Sequence, residues 1–319
     1  MSDPSSGRVF VTGAHGFIGR HVVRLLDAEG YHVVAPARDG HDRDDSLPGD
    51  IVEVDLAVPG EVKAAMQGCN EVVHLAARAG GIQFQQGGGA AIFRENRAIT
   101  DAVFDAAIWS SVRRIFVASS AVAYRPADHP VGEDHDLLGP GDHPSPYAWS
   151  KITDEVTAQW LTDSGQVDAV IGRFGNVYGP GAPFDPERST VVQALIRRVA
   201  DTPTGGALQV WGDGSAVRSF IYVEDVARAI LAVLRNGEPG TAYNIDSGVA
   251  VTIRELATLV RDAVDRSIQL EFDPTQPTGV RYRVTDPTGL TDLGYHPRVT
   301  LEEGIVRTVA AFRNDTSAD

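Results

Sequence analysis

The stretch Arg8-Val9-Phe10-Val11-Thr12-Gly13-Ala14-His15-Gly16-Phe17-Ile18-Gly19 decides the fold. A short run rich in Val and Thr leads into glycines at every third position, after which Phe17, Val22, Leu25 and Leu26 recur at helical spacing. The pattern predicts a strand, a glycine turn and a helix. Glycines spaced G-x-x-G-x-x-G let the chain turn tightly. They also let backbone N–H groups approach a pyrophosphate at the positive end of the helix that follows. Gly13, Gly16 and Gly19, with His15, Phe17 and Ile18 between them, are therefore candidate dinucleotide-binding residues. A plain tight turn is the competing reading, and the flanking strand and helix argue against it.

Outward from this turn the texture alternates. Strands are expected at 31–35, 51–54, 71–75, 114–118 and 169–173, with helices at 61–67, 91–110 and 147–161. That alternation implies parallel βαβ units and an α/β, doubly wound parallel sheet. From Phe174 a Gly/Pro-rich loop, a helix near 190–200 and short elements follow. We divide the chain into a dinucleotide-binding domain over 1–173, completed by parts of the C-terminal region, and a smaller interleaved α/β substrate lobe over 174–319.

The 319 residues carry 28 Lys and Arg against 43 Asp and Glu, a net charge of −15. Such a balance argues against nucleic acid or an anionic membrane as partner. Cys69 is the sole cysteine, which excludes an intrachain disulfide and a cysteine-built zinc cluster, so no metal is expected. We read no signal peptide and no membrane span, and expect a cytoplasmic protein.

The second strand should end in an acid if the 2′-hydroxyl of NAD is read, and in a base if the 2′-phosphate of NADP is. The acid position falls on Ala37, and Arg38 follows it. NADP(H) is expected, with NAD as the alternative in which Arg38 is a solvated loop residue and Asp39 serves the ribose. Asp55, after the third strand, is placed to reach the adenine.

Tyr147 and Lys151 stand four apart on a predicted helix and so share a face. An ammonium at that spacing favours phenolate and makes the phenol usable as an acid or base near neutrality. Lysine is scarce, occurring only at Lys63 and Lys151, which makes its placement here informative. Ser119 and Ser120 end the fifth strand at the edge where α/β sheets bind ligands.

These segments together resemble the extended short-chain dehydrogenase/reductases that act on nucleotide sugars. The resemblance is carried by Gly13 to Gly19, His74-Leu75-Ala76-Ala77, Ser119-Ser120, Tyr147 to Lys151, 173–180 and 218–226. It implies Tyr147 as acid/base, Lys151 on the nicotinamide ribose and Ser120 on the substrate oxygen. It further implies that Asp55, Leu56, Leu75, Ala76 and Ala77 border the dinucleotide, that Asn176 and Arg218 meet a nucleotide diphosphate, and that Val191 lies at the base. A homodimer through two helices per subunit is implied as well. Arg218 has its own logic, since guanidinium suits bidentate phosphate contact; a surface salt bridge is the plainer reading.

Within that family, Gly80-Gly81-Ile82 and Phe184, Pro186, Ser189, Val191, Ala194 and Leu195 are most similar to GDP-fucose synthase and GDP-mannose 3,5-epimerase. Those branches use a cysteine after the serine, and the synthase adds a histidine. The matching positions here read Val122 and Thr190, which cannot shuttle a carbon-bound proton. The dehydratase branch carries Asp-Glu where this chain has Ala121-Val122-Ala123. His135 and His143 are loop residues that could approach substrate. What remains is NADPH-dependent reduction of a nucleotide-linked 4-keto-6-deoxyhexose. The alternatives are a C4 epimerase with bound NAD and a non-catalytic redox sensor, which the Tyr/Lys pair disfavours.

Overall fold

The computed structural model of the chain describes residues 7–38, 43–79, 89–143, 145–185, 188–276 and 278–316. The opening segment folds as its residues dictate, with β1 (Arg8–Thr12) running through the glycine turn into α1 (Phe17–Ala28). In chain order there follow β2 (His32–Ala37), β3 (Asp50–Glu53), α2 (Pro59–Met66), β4 (Glu71–His74), α3 (Gly89–Trp109), β5 (Arg114–Ser120), α4 (Pro146–Asp163) and β6 (Asp168–Phe174). Beyond these come β7 (Asn176–Tyr178), α5 (Val191–Asp201), β8 (Ala207–Trp211), β9 (Val217–Arg218), β10 (Phe220–Tyr222), α6 (Val223–Asn236) and β11 (Ala242–Ile245). The chain closes with β12 (Val251–Thr252), α7 (Ile253–Val264), β13 (Gln269–Asp273), β14 (Tyr282–Arg283), α8 (Thr288–Asp292) and α9 (Leu301–Thr316).

Seven strands form one sheet in the order β11-β6-β5-β4-β1-β2-β3, every pair parallel. A parallel sheet must be covered on both faces, and the strands accordingly read as nearly continuous apolar runs. Alternate residues go to opposite cores. Val9, Val11, Val33 and Phe116 pack with α1 and α6 through Val22, Leu26, Ile230 and Leu234. Phe10, Val34, Ile115 and Val117 pack with α2, α3 and α4 through Met66, Val103, Ala107 and Ala158. Although α6 and β11 lie beyond residue 173, they complete this domain. A third core joins α5, α7 and α9 through Ile196, Leu256, Val260 and Val309.

Local chemistry explains the shifted boundaries. Helix α2 starts at Pro59, whose missing N–H costs nothing in a first turn. Helix α4 starts at Pro146 because the Ser145 hydroxyl accepts from Ala148 N at 3.2 Å as its N-cap. Strand β2 continues through Pro36 to Ala37, since its pairing with β3 runs to Glu53. Cys69 is buried away from the sheet's ligand edge, and burial raises its thiol to about 11, which makes it an inert core residue. No helix among the described residues is long and apolar enough to cross a membrane.

Candidate active site

Above the carboxyl ends of the strands lies a cleft of ≈ 2700 Å³ between the sheet and the C-terminal lobe. The glycine turn, Arg38, Asp55, Leu56, Leu75 to Ala77, Ser120, Tyr147, Lys151, Asn176, Val191 and Arg218 all line it. Strand β1 lies between β4 and β2, so the chain leaves its carboxyl end at the point where strand order reverses, where such sheets take ligands.

The glycine turn is constrained by contact as well as conformation. Gly13 has φ +69°, and a Cβ there would lie 3.0 Å from Ala76 N at the end of β4. A Cβ on Gly19 would lie 2.0 Å from Gly13 O. Helix α1 thus begins hard against the turn. Its N-cap is Gly16, with no side-chain cap, which leaves first-turn N–H groups to an anion. Phe17, Ile18, Leu56, Leu75, Ala76 and Ala77 supply half-buried apolar walls. This cradle fits the pyrophosphate of a dinucleotide.

At the adenosine end, β2 stops at Ala37 and no carboxylate follows it directly. Arg38 is exposed and lines the cleft, as do Arg20 and Arg43. Asp44, also on the wall, pairs with Arg24 at 3.4 Å and donates its N–H to His15 Nδ1 at 3.0 Å. Burial lowers the His15 imidazole, so it is a neutral acceptor there. Asp55 Oδ1 accepts from Ala57 N at 2.9 Å, capping its own loop. Asp39, Gly80-Gly81-Ile82 and Pro186 lie outside the described residues.

His74 connects the two halves of the site from below. Thr12 Oγ1 accepts from Leu75 N and Ala76 N, both at 3.1 Å, so its hydrogen goes to His74 Nδ1 at 2.8 Å. The imidazole proton is thereby placed on Nε2, which donates to Thr100 Oγ1 at 3.1 Å. Complete burial drives His74 down to about 3, so it stays neutral at physiological pH. Its ordinary value is 6.5 in the unfolded chain. Between those values the unfolded state binds a proton that the folded state refuses, so stability is full above about 6.5 and falls as pH drops towards 3. Urea midpoints at pH 7 and pH 5 should show the native chain losing about 2 kcal/mol more than His74→Gln over that interval. Equal losses would assign acid sensitivity elsewhere.

Of the two serines, Ser119 is buried and its hydroxyl donates to Glu155, which also holds Arg173 at 2.8 Å. Ser120 is half-buried, and its oxygen accepts only the long 3.4 Å contact from Val122 N, leaving its proton available to the cleft. Tyr147, half-buried, and Lys151, buried, join it on the wall. Val122 and Thr190 line the same space. His135 and His143 do not; His135 Nε2 is engaged with Arg125 O at 3.2 Å.

Across the cleft, Asn176 Nδ2 donates to Ser219 O at 2.8 Å, fixing its amide beside Val177. Arg218 is oriented by two carbonyls, Val217 O at 2.7 Å and Val280 O at 2.6 Å. Strand β14 pairs with β9 so that Arg283 stands beside Arg218. Burial and this neighbouring charge lower Arg218 to about 10, and burial lowers Arg283 too. Neither makes an ion pair with a carboxylate among the described residues. Two desolvated guanidiniums side by side suit the charge and geometry of a phosphate. Arg283 was not singled out from the sequence; the alternation Arg281-Tyr282-Arg283 in a short strand was the available signal.

A dinucleotide cradle, a Ser/Tyr/Lys wall and an arginine pair on one cleft define an NAD(P)-dependent enzyme of nucleotide sugars. Residues 9–246 match the family model "NAD dependent epimerase/dehydratase family", and the chain belongs to that family. It is 33% identical over 316 residues to GDP-L-fucose synthase 1 of Arabidopsis thaliana, covering 97% of this chain and 93% of that one. It is 31% identical over 331 residues to dTDP-4-dehydro-6-deoxy-D-allose reductase of Streptomyces bikiniensis, covering 99% of both. The UDP-glucose 4-epimerase of Thermotoga maritima with UDP-glucose superimposes with a TM-score of 0.86 at 26% identity, covering 97% of this chain and 99% of that one. The UDP-glucose 4-epimerase of Thermus thermophilus with NAD does so with a TM-score of 0.83 at 28% identity, covering 96% and 99%.

Proposed function

We propose that the protein reduces a nucleotide-linked 4-keto-6-deoxyhexose with NADPH. The observation that carries this is the cleft wall itself: it holds Ser120, Tyr147 and Lys151 to reduce a carbonyl, with Val122 and Thr190 where carbon-proton shuttles would be needed. NADPH supplies the hydride to the carbonyl carbon. Ser120 donates a hydrogen bond to the carbonyl oxygen, and Tyr147 delivers the proton that turns it into the alcohol. Lys151 holds the nicotinamide ribose and favours the phenolate left behind. Arg218, Arg283 and Asn176 hold the diphosphate, and Val191 borders the base. Arg38, with Arg20 and Arg43 on the same wall, supports recognition of the 2′-phosphate.

Similarity to the Streptomyces reductase supports the same reading. Exposed Trp109 and Trp160, at 58% and 65%, with Val156 on the adjoining helices α3 and α4, support a homodimer through those helices; light scattering reads it directly. The cytoplasm suits a chain whose one thiol is buried.

The test adds NADPH, and separately NADH, with GDP-, dTDP- and UDP-4-keto-6-deoxyhexoses, and follows reduced nicotinamide. We expect NADPH to be consumed with one nucleotide series, at a KM at least about tenfold below that for NADH. No consumption anywhere, with stoichiometric NAD released on denaturation, would overturn this in favour of a bound-NAD C4 epimerase, as in the Thermus relative that carries NAD.

A further inference from the structure

Lys151 is only 3% exposed, and its Nζ lies 3.3 Å from Asp154 Oδ2, three residues along α4. The other oxygen, Asp154 Oδ1, accepts from Arg97 Nη1 of α3 at 2.9 Å. Asp154 is wholly buried, and a buried carboxylate is strongly unfavourable when it stands alone. Here each of its oxygens meets a cation, and the nearby Thr100 hydroxyl favours its charged form as well. Thr100 is the same residue that receives the His74 proton. A continuous chain of polar contacts therefore runs from the backbone N–H groups of Leu75 and Ala76, through Thr12, His74, Thr100 and Asp154, to Lys151.

We propose that Asp154 and Arg97 are positioning residues for Lys151, fixing where its ammonium sits inside the cleft wall. The proposal rests on reading Lys151 as the cation that holds the nicotinamide ribose. A lysine is a point charge on a flexible four-carbon stem with wide rotamer freedom. Spacing from Tyr147 alone cannot hold such a chain in one place. Asp154 anchors it from its own helix; burial pushes the Asp154 carboxyl up, and Arg97, crossing from α3, offsets part of that.

The remaining charges around the group are accounted for. From α3, Asp101 is the exposed outer partner of Arg97, Glu95 pairs with Arg78 at 2.6 Å, and Arg94 lines the open cleft. From β4, His74 is neutral. On α4 itself, Glu155 points to the sheet, where Arg173 of β6 and Ser119 of β5 take it up. Asp154 is thus the buried anion that faces Lys151.

The test uses the scarcity of lysine. Full-length protein labelled with 13C at lysine Cε gives two signals, Lys63 and Lys151, assigned by Lys63→Arg, and each is followed against pH. Asp154→Asn should bring the Lys151 titration down by about one pH unit or more, because an anion is lost while Arg97 still repels. Adding Arg97→Gln to that variant should move it part of the way back, and Asp154→Glu should keep it near native. An Asp154→Asn variant whose Lys151 signal does not move from the native course overturns the proposal. If Asp154→Asn fails to fold, Arg97→Gln alone decides: its Lys151 Cε signal at pH 7 should move from the native position while that of Lys63 stays, and an unmoved Lys151 signal overturns the proposal. No substrate enters the measurement, so failure of the ketoreductase reading would leave its outcome intact.

Discussion

Tyr147→Phe is expected to lower kcat by on the order of 10³-fold while changing the affinity for NADPH by less than about threefold. The substitution deletes one oxygen and keeps the ring that lines the cleft. The hydride donor, Ser120 and Lys151 would remain, but the alkoxide formed on reduction would have no phenol to protonate it. Ser120 cannot stand in, because a neutral aliphatic hydroxyl gives up its proton far less readily than a phenol beside an ammonium. Titrating NADPH fluorescence separates binding from turnover, and rates come from the keto-sugar that the native protein consumes. Turnover within tenfold of native would remove Tyr147 from the chemistry. Unchanged cofactor binding with no reaction of any kind in the native chain would favour a sensor.

Gly19→Ala should be the most damaging single-methyl change in the molecule. Its Cβ would lie 2.0 Å from Gly13 O, a contact with backbone rather than with a side chain that can turn away. Relief requires α1 to move off the glycine turn, which carries the helix N-terminus away from the pyrophosphate. A stability loss of more than about 3 kcal/mol is expected, together with loss of measurable NADPH binding. Gly60→Ala is the internal control: it lies in α2 with nothing within 4 Å of its Cβ, and should stabilise by about 0.5–1 kcal/mol. Urea denaturation of both variants measures the contrast. A Gly19→Ala protein of native stability would mean that the turn has room that the backbone geometry denies.

The parallel sheet was legible because its strands are buried on both faces and bounded by turn residues, so 8–12 and 169–173 stood out by composition alone. The glycine turn and the Tyr147/Lys151 pair were legible because chemistry fixes their spacing within a single element. Arg283 was not, because its meaning comes from register: a two-residue strand pairs it with Arg218, more than sixty positions earlier. Asp154 was hidden for a different reason. Counted along the chain it is a helical acid three residues after a lysine, which usually means a solvated ion pair. Only the packing of α3 onto α4 shows it sealed between two cations. The division of labour between Ser119 and Ser120 was equally invisible, since it depends on Glu155 reaching under the sheet to claim one hydroxyl.

The return of α6 and β11 to the first domain also bears on how the chain is made. A ribosome that has released only the first 173 residues has delivered six of the seven sheet strands, but neither the edge strand that pairs β6 nor the helix that covers α1. The apolar face formed by Val9, Val11, Val33 and Phe116 then waits covered by α1 alone until residues near 245 emerge. Completion of the sheet is thereby tied to synthesis of about half of the C-terminal lobe, and a chain cut short before that point ends as a half-covered, aggregation-prone sheet rather than as a free-standing domain.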